Sequence, residues 1–179
     1  MYYATIKEFD TANGVGVRVS LYVSGCTHHC KGCFNKETWD FCYGERYTQI
    51  EEDRIINACK KEYIKGLTVL GGEPFEKANQ KDVARLMKRF KQECPGKDLW
   101  CYSGYLFDED MVEGGKIFTE YTTDMLSCID YLVDGEFVEE LKNLRLKFRG
   151  SSNQRIIDVK QSLKTGQVVT LTDTDERLK

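Results

Sequence analysis

Short apolar runs separated by helix-patterned segments are the strongest constraint this chain places on its own fold. Val17, Val19, Leu21 and Val23 alternate with Arg18, Ser20, Tyr22 and Ser24, the period-two pattern of a strand with one buried face. Leu67 to Leu70, Leu99 to Tyr102 and Tyr131 to Val133 are further strand-length runs, and Tyr2 to Ile6 reads as a short edge strand. Between them lie helical signals. Thr48-Gln49-Ile50-Glu51 has the form of a capping box, opening a helix to about Tyr63 with Ile55, Ile56, Cys59 and Tyr63 inward, Glu51, Glu52, Lys60 and Lys61 outward, and Gly66 just past its end. Val83, Leu86, Met87 and Phe90 recur at i, i+3, i+4 and i+7 before Pro95-Gly96 stops the helix, and a weaker segment spans Ile117 to Ser127.

Strands alternating with helices imply an α/β fold with parallel strands and outer helices, and in such sheets ligands gather at the C-terminal ends of the strands. At 179 residues the chain is one domain. A complete eight-fold barrel typically needs about 250 residues, so the expectation is a partial, open β/α barrel. After Gly135 the pattern weakens. Phe137 to Leu141 reads as a helical turn, Arg149 to Arg155 as a polar loop, Ile156 to Val159 and Val168 to Leu171 as short strands, and Asp173 to Lys179 as a frayed, charged end.

At the end of the first alternating strand, Cys26-Thr27-His28-His29-Cys30-Lys31-Gly32-Cys33 carries three cysteines at C-x3-C-x2-C spacing. Short spacers let three thiolates converge on a metal ion or an iron-sulfur cube. A cube has four irons, so three cysteines leave one iron without a protein ligand, the open position that catalysis requires. Zinc, an electron-transfer cluster completed by Cys42 and a catalytic cluster all remain open from spacing alone. His28 and His29 read as solvated loop residues or as zinc ligands. Cys59, Cys94, Cys101 and Cys128 are scattered and read as small buried hydrophobes.

The chain's 26 Lys and Arg against 29 Asp and Glu leave no basic field for nucleic acid. No membrane-length apolar run and no secretory leader are present, so a cytoplasmic protein is expected, with its eight cysteines reduced or bound to metal rather than paired.

Gly71-Gly72-Glu73-Pro74 follows the second parallel strand. By itself it reads as a sharp turn, or as a place where a ligand ammonium meets Glu73 beside exposed strand-end carbonyls. It lacks the Gly-Lys-Ser/Thr of a phosphate-binding loop.

Taken together, the cysteine loop and this turn resemble those of the radical S-adenosylmethionine (SAM) enzymes. Further segments narrow the likeness: Ser24 to Cys26, Cys33 to Trp39, Trp100 to Tyr105, Leu132 to Phe137 and Arg149 to Gln154 resemble, in order, the activating proteins of anaerobic ribonucleoside-triphosphate reductase. The likeness spans about residues 13 to 158, with residues after about 159 a C-terminal extension. Gly32 stands where many radical SAM enzymes have an aromatic, with Phe34 after the last cysteine, a feature the activating proteins share.

The resemblance implies a barrel of the radical SAM type, a [4Fe-4S] cluster held by Cys26, Cys30 and Cys33, and SAM contacted by Gly32, Cys33, Phe34, Gly71, Gly72, Glu73 and Ser103. It further implies reductive cleavage of SAM, hydrogen abstraction from a glycine of the reductase, and a low-potential donor such as flavodoxin. No side chain is called on as a general base. Two other readings compete: a small radical SAM enzyme on a nucleotide-like substrate, of the deazapurine synthase type, and a non-enzymatic zinc or iron-sulfur module.

Overall fold

A computed structural model describes all 179 residues. Eight strands form one open sheet: β1 Tyr2–Asp10, β2 Arg18–Val23, β3 Glu45–Arg46, β4 Gly66–Gly71, β5 Asp98–Tyr102, β6 Tyr131–Asp134, β7 Arg155–Asp158 and β8 Thr170–Leu171. Their spatial order is β3-β1-β2-β4-β5-β6-β7-β8. Only β2, β4, β5 and β6 run parallel; β1 and β3 on one side and β7 and β8 on the other are antiparallel. This corrects the expectation of parallel strands throughout. For β1 and β2 the physical reason is connection length: the short link from Asp10 to Arg18 cannot make the long crossover that parallel neighbours need.

The crossovers carry helices α1 Gln49–Cys59, α2 Lys77–Glu93 and α3 Thr122–Cys128, and α4 Val159–Thr165 follows β7. Thr48 and Glu51 form the expected capping box, with Thr48 N donating to Glu51 at 2.8 Å. Val83, Leu86, Met87 and Phe90 are fully buried on α2, as their spacing required. They pack with Val19, Leu21, Val23, Leu67, Val69, Leu99 and Leu132 into the main core on one face of the sheet.

The opposite face is also covered. Trp100, Val133, Ile156, Leu171 and Leu178 form a second cluster there, with Val15, Tyr102 and Phe148 against it. Consequently β2 is buried along its whole length, not on one face as its alternation implied. Arg18, on the face expected to be wet, is wholly inaccessible; it pairs with Asp98 at 2.6 Å, and its Nε donates to Thr68 at 2.7 Å.

Several boundaries differ from the sequence reading. β1 runs on past the expected Ile6 to Asp10 and is not the edge strand, because β3 pairs outside it. α1 stops at Cys59, leaving Tyr63 exposed, and Gly66 opens β4 instead of capping the helix. Glu52 is buried between α1 and α2, where Arg85 reaches it at 2.8 Å. α3 starts five residues later than the Ile117 expected, at Thr122. The C-terminal end does not fray: Leu178 is buried, and Arg177 pairs with Asp158 at 2.7 Å. No helix is long and apolar enough to cross a membrane.

Candidate active site

The C-terminal ends of β2, β4, β5 and β6 lie side by side because those strands are parallel and in register. The loops leaving them are tied by main-chain bonds. Gly72 N donates to Val23 O at 2.8 Å and Glu73 N to Gly25 O at 2.8 Å, joining the turn after β4 to the start of the cysteine loop. Asn79 reinforces the joint from α2, its Nδ2 donating to Ser24 O at 2.9 Å and Glu73 O at 3.0 Å. Gly71 holds φ +112°, and a Cβ there would meet the β2 backbone at 2.7 Å, so only glycine fits.

Beside this joint lies a cavity of about 520 Å³. Cys26, Cys30, Gly32, Cys33, Phe34, Gly71, Gly72, Glu73 and Ser103 all line it. All eight cysteines are free thiols; Cys26 is buried, and Cys30 and Cys33 are half-buried. In the metal-free chain burial pushes the Cys26 thiol up to about 12 and raises that of Cys30, so a metal centre must displace their protons on binding. Three cysteines of one short loop lining one cavity can offer their thiolates to an iron-sulfur cube or to zinc. Cys42 is exposed and does not line the cavity. Cys59, Cys94, Cys101 and Cys128 are buried, as small hydrophobes would be.

Glu73 is almost wholly buried, and both its oxygens are occupied. Oε1 accepts from Phe75 N and Ser103 Oγ, each at 2.9 Å; Oε2 accepts from Gly104 N at 2.7 Å and faces His28 Nε2 at 3.3 Å. Ser103 therefore positions Glu73. Phe34 stands at the mouth of the cavity with most of its ring in solvent.

The expectation of a solvated His28 is corrected: its side chain is only 5% accessible. Nδ1 lies 2.6 Å from Glu136 Oε1, and the ring packs on Tyr105 with centroids 4.2 Å apart. Burial pulls its pKa down, but the carboxylates of Glu73 and Glu136 outweigh this and raise it above the ordinary histidine value. His29 does remain exposed, against Trp39 at 4.6 Å.

Arg149 to Gln154 is more than a solvated turn, since Ser151 is buried and its Oγ accepts from Val138 N at 3.1 Å. Gln154 Nε2 donates to Gly135 O at 2.9 Å and Asn153 Nδ2 to Glu136 O at 2.8 Å, so the loop grips the turn after β6. Asp134 at the end of β6 is buried and bonded by Arg155 Nε at 2.9 Å.

Sequence reasoning missed one wall of the cavity. Residues 142 to 149 cross it as a strap from which Lys142, Leu144, Leu146, Phe148 and Arg149 reach the lining. The strap is anchored from the C-terminal extension: Arg149 Nη2 pairs with Asp173 at 2.9 Å and Lys147 Nζ donates to Leu178 O at 3.3 Å. The alternation of Leu144, Leu146 and Phe148 was the available signal.

A family model described as a 4Fe-4S single cluster domain matches residues 12–157. An anaerobic ribonucleoside-triphosphate reductase-activating protein of Vibrio cholerae is 43% identical over 158 residues, 87% of this chain and 97% of the relative. Proteins of the same name from Escherichia coli, 41% identical over 156 residues with 86% and 96% covered, and Haemophilus influenzae, 41% over 158 residues with 87% and 97% covered, are similar to the same extent.

Proposed function

The chain belongs to the family of anaerobic ribonucleoside-triphosphate reductase-activating proteins, and from that premise we propose that it is a radical SAM activase that generates the glycyl radical of that reductase. Reduced by an external one-electron donor, a [4Fe-4S] cluster held here would supply the electron that cleaves bound SAM into methionine and a 5'-deoxyadenosyl radical, and that radical would take a hydrogen atom from a glycine Cα of the partner. The observation that carries this reading is the meeting of Cys26, Cys30 and Cys33 with the Gly71-Gly72-Glu73 turn around one cavity.

In this reading Cys26, Cys30 and Cys33 would hold the cluster, and SAM would bind beside it in the same cavity. Gly71 and Gly72 let the cofactor approach main chain, and Glu73, held by Ser103 and Gly104, sets negative charge at its amino end. Gly32, Cys33 and Phe34 flank the sulfonium and adenine side. The open mixed sheet, with its site at the ends of four parallel strands, supports a partial barrel of the radical SAM type. The strap tied to Asp173 and Leu178 supports one domain over residues 1–179, with the extension after about 159 part of it. A low-potential donor such as flavodoxin and a cytoplasmic setting complete the proposal.

The test is anaerobic reconstitution with iron and sulfide, followed by SAM and a reductant. Formation of 5'-deoxyadenosine is expected, and a glycyl-radical resonance on the reductase when it is present. A colourless protein with one zinc and no response to SAM would overturn the reading.

A further inference from the structure

His28 lies inside the cysteine loop and lines the same cavity as its three cysteines, but its ring nitrogens face carboxylates. Its Nε2 faces Glu73 Oε2 at 3.3 Å, across from the turn after β4, and its Nδ1 faces Glu136 Oε1 at 2.6 Å, on the turn after β6. Tyr105, from the loop after β5, closes the ring's face at 4.2 Å. One imidazole thereby touches the loops that leave all four parallel strands. The space is made for it: a Cβ on Gly104 would sit 2.6 Å from His28 Nε2, so glycine there lets the ring reach Glu73.

Thr27, its neighbour, makes a parallel tie to α2, donating to Glu76 Oε1 from its amide at 2.9 Å and from its hydroxyl at 2.5 Å. Thr27 and His28 therefore tie the segment between the first two cysteines to the scaffold by side chains. His28 Nε2 makes no hydrogen bond, but a polar ring nitrogen held 3.3 Å from a buried carboxylate restrains it better than mobile water does, because both groups are held and the local dielectric is low.

We propose that His28 is a positioning residue that fixes Glu73 against the cysteine loop, so that the cluster-holding and cofactor-holding halves of the site keep one spacing. The assignment of those halves rests on the activase reading above. Glu136, more than half exposed and outside the cavity lining, serves as the outer brace that sets the ring's orientation.

The test uses the full chain with H28A, H28Q and E136Q. In the metal-free proteins, amide hydrogen exchange at Gly104, whose N–H donates to Glu73, is expected to accelerate by about tenfold in H28A as the contact restraining Glu73 is lost. In the reconstituted proteins the SAM concentration for half-maximal 5'-deoxyadenosine formation is expected to rise by about tenfold in H28A while kcat falls less, with partial recovery in H28Q and a smaller shift of the same sign in E136Q. Unchanged exchange at Gly104, or a fall in kcat with unchanged half-saturation, overturns the proposal. If H28A fails to fold or to hold a cluster, E136Q decides: wild-type exchange and wild-type half-saturation there overturn it as well. If the wild-type protein cleaves no SAM, the activase reading fails, and the exchange measurement still judges the brace.

Discussion

Adding one methyl group at Gly72 tests how the cysteine loop and the turn after β4 are joined. Its Cβ would lie 2.7 Å from Gly25 O and 2.9 Å from Thr38 O. A carbon and a carbonyl oxygen approach comfortably to about 3.3 Å at closest, so Gly25 must retreat by about 0.6 Å. Neither oxygen is free to move. Gly25 O accepts from Glu73 N and Thr38 O from Gly25 N, both at 2.8 Å, so the displacement passes into the residue next to Cys26. Overpacking of this kind costs about 1–3 kcal/mol, and a misplacement of about 1 Å in a reacting constellation can cost about 100-fold in rate. We therefore expect G72A to lose about 1–3 kcal/mol in urea denaturation of the metal-free chain, to retain three cysteines able to hold iron and sulfide, and to form 5'-deoxyadenosine at least about tenfold more slowly. G96A is the control. Gly96 has φ +80° and nothing within 4 Å of its Cβ, so alanine there meets backbone strain alone, costs about 1–2 kcal/mol and leaves turnover unchanged. If G72A matches wild type in stability and rate, the close approach of the two loops is not what sets the site.

Three further outcomes follow from buried charge and from the strap. R18M removes the partner of Asp98 and of the Leu67 and Val15 carbonyls, and is expected to destabilise the chain by about 3–5 kcal/mol in urea denaturation, with a loss under about 1 kcal/mol counting against a buried pair. Although burial of Asp130 works to raise its pKa, bonds from Lys160, Lys91 and Leu99 N outweigh it and hold the carboxylate below its ordinary value. A depressed folded pKa stabilises above the unfolded value of about 3.9 and is lost as pH falls through the folded one, so the stability gap between wild type and D130N should be flat from neutral pH to about 5 and shrink below about 4. D173A frees Arg149 at a partly exposed pair worth only about 0.2–1 kcal/mol, so global stability should barely change while amide exchange over residues 145 to 150 accelerates; unchanged exchange would mean that Asp173 does not anchor the strap.

Much of the site was legible because its chemistry is local. The spacing of Cys26, Cys30 and Cys33 and the Gly71 to Pro74 turn are each contiguous, and the strand ends that carry them follow from short patterns. Helix α2 was equally plain, since Val83, Leu86, Met87 and Phe90 announce a face without any knowledge of what covers it. His28 was not legible: two carboxylates 45 and 108 residues away bury it, and nothing in Cys26-Thr27-His28 distinguishes that fate from solvent.

By itself, then, the sequence determined the alternation of strands and helices, the cysteine loop at a strand end and the turn it would meet, all consequences of backbone propensity and side-chain spacing over a few residues. Tertiary structure alone decided that both faces of β2 stay dry, where Arg18 finds its partner and what holds the strap. Those outcomes depend on pairings between segments far apart in the chain, such as Arg18 with Asp98 and Arg149 with Asp173, whose closure is settled only when the whole sheet assembles and its second face is covered.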